Sequence, residues 1–138
     1  MANVNNDIRA ALESHLSFTE GLPSIAYENV NFKPTTGTSF LQATFLPTLR
    51  RPAVRGLNPQ QRYQGVFVVT AYAPEGNGPK VANDYLDIVE AAFEATTKLE
   101  YSGSENITVS IDYAERQLGF VDTPWYYVPL NIGWYCYK

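Results

Sequence analysis

The sequence predicts an α+β fold: a mostly antiparallel, mixed β-sheet with two amphipathic helices packed on one face and a long arm or loop at 46–63. Three observations predict it. Apolar residues recur at helical spacing in two stretches, about 4–17 and 79–97. Other segments alternate apolar and polar residues or are apolar throughout, as half-buried and fully buried strands do. The chain is also rich in strand-favouring aromatics, with ten Tyr and seven Phe. At 138 residues and 45% apolar, residues 1–138 are expected to form one domain that buries about two-thirds of its unfolded surface.

The first helix rests on Val4, Ile8, Leu12 and Leu16, which recur at i+4 with Ala11 beside them. Asn3 suits its N-cap and Asp7 its first turn. Arg9 and Glu13 stand i,i+4 on the wet side. Gly21-Leu22-Pro23 stops the helix. Ser24 to Tyr27 reads as a short strand, and a loop punctuated by Pro34 and Gly37 follows. Phe40 to Leu46 alternates as a strand. Pro47, Pro52, Gly56 and Pro59 then forbid a regular helix or a central strand through the arm.

Gln64 to Ala73 is apolar on both faces and so belongs centrally in the sheet. The stretch PEGNGPK reads as a strand-to-helix turn, with Pro79 near the helix start; it lacks the spacing of a phosphate-binding loop. Val81, Tyr85, Ile88, Val89 and Ala92 form the stripe of the second helix, and Asp84, Asp87, Glu90 and Glu94 cluster opposite. Asn106 to Asp112 alternates cleanly, and Gln117 to Phe120 reads as a short returning strand. Trp125 to Tyr137 is a long terminal strand in which Pro129 marks an edge or a bulge. The sheet face away from the helices is left with many apolar and aromatic residues, more than a soluble monomer readily exposes.

Few residues offer chemistry. His15 borders the apolar stripe of the first helix, with no nucleophile near it in sequence, and reads as a packing histidine. Cys136 is the only cysteine, so no intramolecular disulfide forms, and it reads as a small core residue. One His and one Cys build no usual zinc site. Asp112 and Glu115 are expected to solvate a hairpin turn. No cofactor, no metal and no enzymatic activity are expected. No secretory signal is visible at the N-terminus, and no stretch approaches the ~20 apolar residues of a membrane span.

Charge is the informative feature. The formal net charge is −4, yet residues 29–74 hold five basic residues and no acid, whereas residues 75–122 hold ten acids and three bases. Arg50, Arg51, Arg55 and Arg62 fall within the arm. An acidic chain with few interleaved aromatics there argues against a specific nucleic-acid ligand. A protein–protein contact arm fits better, because Arg, Pro and Leu in an extended segment can add to a neighbour's surface.

The segments DIRAALE at the start, IAYENVNFKP at 25–34, GLNPQQRYQGVFVVTAYAPEGNGPKVANDYLDIVEAAF at 56–93 and TPWYYVPLNIGWY at 123–135 carry a resemblance. In order and spacing they resemble the small tail-terminator (tail-completion) proteins of long-tailed siphophages, the group typified by phage lambda gpU. The resemblance covers nearly the whole chain. It implies an α+β sandwich that assembles as a hexameric ring, caps the major tail tube protein, stops tube polymerisation and offers a surface to the head-completion or connector protein. It implies no cofactor and no catalysis, a place at the neck-proximal end of the virion tail after assembly in the host cytoplasm, and DNA passing through the lumen without specific binding. Segment 46–63 corresponds to a variable arm in that group.

Together these readings place Arg50, Arg51, Arg55 and Arg62, with Leu49 and Leu57, at a subunit or tube interface, where Leu46 and Val54 add apolar burial. Asp84, Asp87, Glu90 and Glu94 form an acidic face towards the lumen or a partner. The alternative is a monomeric neck adaptor that uses the arm for one protein partner.

Overall fold

The computed structural model describes residues 4–28, 32–34, 37–52, 60–76, 78–103 and 106–138. Its elements run α1 (Val4–Phe18), β1 (Ser24–Ala26), β2 (Phe40–Pro52), β3 (Gln61–Pro74), α2 (Lys80–Ala92), β4 (Lys98–Ser102), β5 (Asn106–Arg116), β6 (Phe120–Asp122) and β7 (Trp125–Tyr137). The strands form one sheet in the order β1-β2-β3-β7-β5-β4, with β6 paired to β7. Only β1 and β2 are parallel; the other pairs are antiparallel. Both helices cover the same face, α1 over β4 and β5 and α2 over β3 and β7. The α+β architecture expected from the sequence is the one observed.

The core follows the two periodicities. Helix α1 buries Ile8, Ala11, Leu12 and Leu16, and α2 buries Ala82, Leu86 and Val89. Strand β3 buries alternate residues from Tyr63 to Ala73, and β7 does so from Val128 to Cys136. Trp134, Phe67 and Phe93 are the largest side chains fully enclosed. Burying each such aromatic contributes about 2–3 kcal/mol. Arg9 and Glu13 form the expected i,i+4 pair at 2.9 Å. Asn3 lies outside the described residues.

The arm is not a loop along its length. Strand β2 runs on to Pro52 and β3 begins at Gln61, so they extend as one long hairpin. Residues 53–59 lie outside the described residues. The prolines forbid a central strand, but β2 past Gln42 is an edge: β1 pairs with it only from Phe40 to Gln42. The Phe45 N–H donates to the Glu28 carboxylate and so faces away from β3. Two residues on, Pro47 turns the same side to the open edge, where no ladder bond is lost. The register shifts between Pro47 and Leu49, a β-bulge that absorbs Thr48.

Three further boundaries differ from expectation. Helix α2 ends at Ala92 rather than 97, because Thr96 and Thr97 exchange backbone hydrogen bonds with Ile111 at 2.9 and 2.8 Å. A strand, β4, follows at Lys98–Ser102, where the sequence reading assigned no element. Strand β5 continues to Arg116 past a bulge between Ile111 and Tyr113. Asp112 is therefore the bulged residue of a strand and Glu115 pairs with Asn131; neither solvates a turn. The short strand expected at 117–120 lies at Phe120–Asp122. Pro129 is accommodated in the seam between β5 and β6: its carbonyl accepts from Gln117 N–H at 2.9 Å, and its missing donor meets no strand there.

Candidate interaction surfaces

The hairpin carries the basic cluster. Arg50 lies opposite Tyr63 and sits over its ring at 5.4 Å. Arg51 is directly opposite Arg62 in the ladder, which sets two like charges side by side. Arg62 is braced: its Nε donates to Gln64 at 3.2 Å, its Nη1 to the Tyr137 hydroxyl at 3.0 Å, and its guanidinium covers the Tyr135 ring at 4.8 Å. Leu46 and Leu49 are exposed by 46% and 42% beside them. Four of the six interface residues expected from the sequence, Arg50, Arg51, Arg62 and Leu49, thus share one exposed hairpin. Arg55 and Leu57 lie outside the described residues.

The acids of α2 do not form a free stripe. Asp84 pairs with Lys80 at 2.6 Å. Arg116, at the end of β5, reaches Asp87 at 2.8 Å and Glu90 at 2.9 Å and also donates to Asn83. Burial opposes the charge on Arg116, yet the two carboxylates hold its pKa above the ordinary value. Glu94 lies beyond the helix end. Asp87, Glu90, Glu94 and Asp112 line an open groove of about 550 Å³ together with Ala91, Ala95, Tyr113 and Ala114. Arg116 escaped notice in the sequence because its partners lie 26 and 29 positions away. The signal that could have found it is its isolation as the one base between Lys98 and Lys138.

The helix-free face of the sheet carries a row of aromatics. Phe40 stacks on Tyr72 with centroids 4.6 Å apart, Tyr72 on Tyr127 at 5.3 Å, and Tyr127 meets Phe120 at 5.7 Å. Tyr72 donates to Gln42 at 3.0 Å. Burial first, then the neighbouring Tyr127 and Asp122, pushes the Tyr72 pKa up. The rings meet across strands as cross-strand partners do, so they form an aromatic plate on part of this face.

The residues set aside as structural are so placed. His15 Nε2 lies 2.7 Å from the Ala92 carbonyl and its ring meets Phe93 edge-on at 4.8 Å, which ties α1 to the end of α2. Cys136 is buried in the core. Among the described residues no group of three or more His, Cys, Asp or Glu is arranged to hold a metal ion, and no helix is long and apolar enough to cross a membrane.

One solved structure matches 96% of this chain and 94% of its own length, with a TM-score of 0.73 at 24% sequence identity. That likeness shows the fold. No curated protein matches. The family model of the phage tail terminator protein matches residues 7–134, from the first turn of α1 to Trp134 in β7. The chain belongs to the phage tail terminator family. A terminator is a structural protein of the virion tail with a role in tail completion, and its family is not an enzyme family. Its working parts are surfaces that meet other tail or head proteins, so the hairpin, the groove and the aromatic plate are the parts of this terminator to weigh.

Proposed function

We propose that this terminator forms a hexameric ring of the siphophage, lambda gpU type. The ring sits on the last ring of the major tail tube protein, stops tube polymerisation and offers its other side to the head-completion or connector protein. DNA passes through its channel without specific binding. The ring is assembled in the host cytoplasm and stays at the neck-proximal end of the tail. Nothing is catalysed and no cofactor is used.

The observation that carries this reading is the separation of two complementary patches on one chain of this family: an exposed basic hairpin and a groove rimmed by acids. A cyclic oligomer needs two different patches, one to give and one to receive. Ion pairs at a wet rim contribute only about 0–1 kcal/mol each. The charges therefore set register and encounter rate, while Leu46, Leu49 and the aromatic plate supply burial.

The test is electron microscopy of tails assembled without this protein. Overlong tubes that fail to join heads are expected. Tails of normal length that still join heads would overturn the reading. A chain that stays monomeric on assembled tails would point instead to an adaptor binding a single partner.

A further inference from the structure

We propose that the basic hairpin of one copy seats in the groove between α2 and β5 of the next copy, and that this pair of patches is the joint between subunits. The inference rests on the ring reading above and names the surfaces that meet.

Both sides of the joint carry charges that form no ion pair among the described residues. The basic residues in ion pairs among the described residues are Arg9, Lys80 and Arg116; Arg50, Arg51 and Arg62 pair with no carboxylate of those residues. Arg51 and Arg62 also face each other across the ladder, an arrangement that costs stability until an anion lies over it. Across the joint, Glu94 and Asp112 pair with no cation among the described residues, although Arg116 already holds Asp87 and Glu90. The bulge in β5 is what adds Asp112 to the rim.

Shape and topology agree. The groove's lining includes Ala91, Ala95, Ala114 and Tyr113 as apolar surface, and the hairpin offers exposed Leu46 and Leu49 beside its arginines. Arg51 and Arg62 share a ladder rung with Tyr137 on the helix-free face, whereas α2 packs on the opposite face. A copy can thus give its hairpin to one neighbour while its groove receives that of another. Such a heterologous contact propagates, and it closes into a ring when the rotation closes. The joint also assigns Asp87, Glu90 and Glu94 to a subunit contact rather than to the channel lining.

Cys136 is the only cysteine and is buried, so introduced cysteines report cleanly. A chain carrying Arg51→Cys and Asp112→Cys, mildly oxidised, is expected to give a ladder of covalent multimers, and each single variant is expected to stop at dimer. Charge reversal of the hairpin (Arg50→Glu with Arg51→Glu) or of the groove (Glu94→Lys with Asp112→Lys) should weaken self-association about tenfold or more in sedimentation equilibrium. Both reversals in one chain should restore it. Absence of the ladder, self-association indifferent to either reversal, or a chain monomeric at every concentration overturns the proposal. So does a hairpin reversal that abolishes binding to a labelled oligonucleotide and leaves self-association intact. Tube capping is scored separately. Capping without the cross-link sinks the joint and leaves the terminator reading standing; the ladder without capping does the reverse.

Discussion

Trp134 lies against the bare backbone of Gly65. A methyl group on Gly65 would come within 2.8 Å of the Trp134 ring and 2.2 Å of the Leu46 carbonyl oxygen. The glycine therefore lets a fully buried indole and the bulged strand β2 close on the same point of β3. Strand β3 stays paired with β7 past this point as far as Arg62, so this contact fixes how closely β2 lies along the hairpin.

Gly65→Ala is expected to destabilise the fold by about 1–3 kcal/mol, the range for overpacking a dense interior. Backbone on one side and a large ring on the other leave little room to yield. Urea denaturation followed by near-ultraviolet circular dichroism checks it: the midpoint should fall with little change in slope. An unchanged midpoint would mean that β2 and Trp134 move apart freely.

Arg116→Ala removes the one side chain that joins α2 to β5 through Asp87 and Glu90. It also leaves those two carboxylates facing each other one turn apart. A loss of about 1 kcal/mol is expected, since each partly exposed pair contributes about 0–1 kcal/mol. The loss should shrink as salt is added. Arg51→Ala, which breaks no ion pair among the described residues and relieves the like-charge contact with Arg62, should leave thermal stability unchanged or slightly raised while weakening association. Equal effects of the two variants on stability would contradict the assignment of Arg116 to the fold and Arg51 to a partner.

What the sequence made legible is what hydrophobic period controls. The stripes of α1 and α2, the largely apolar second half of β3 and the long β7 stand out because their apolar spacing continues for many residues. The rest was hidden by events that period cannot report. Glu94 keeps helical step with Asp84, Asp87 and Glu90, yet Thr96 and Thr97 have already left the helix to bond Ile111. The bulge at Asp112 shifts the alternation of β5, so the strand seemed to end there. Pro47 and Pro52 signalled a loop because their cost depends on whether the strand is central or an edge, which only the tertiary pairing decides. The basic cluster was legible as a patch. Its groove was not, because Asp112 and α2 meet only in space.

Burial pushes the Cys136 thiol pKa up, and Lys138 nearby opposes this only in part. Because the folded value is raised, the stability linked to this group is fully present below the ordinary thiol pKa. It is lost as pH rises through the folded value, because the unfolded chain ionises first. A thiol reagent at pH 8 should therefore label Cys136 only when the chain unfolds, with a rate that follows urea concentration. Prompt labelling of the native protein would show that the end of β7 opens on its own.

His15→Ala tests the tie between the helices. The His15 ring bonds the Ala92 carbonyl and meets Phe93 edge-on. Ala92 is the last residue of α2, whose final carbonyls have no partner within the helix. Losing the hydrogen bond should cost about 1 kcal/mol and losing the ring contact about 0.5–1.5 kcal/mol. Hydrogen exchange should separate this from a general loss of stability. Amides of the last turn of α2 and of Phe93 should exchange faster, and the Phe67 and Val69 amides of β3 should change only by the global amount. Uniform acceleration across the sheet would mean that His15 only fills space and does not hold the end of α2. The groove is built on Ala91, Glu94 and Ala95 beside this end, so the same variant should also weaken self-association without touching a charged residue of the joint.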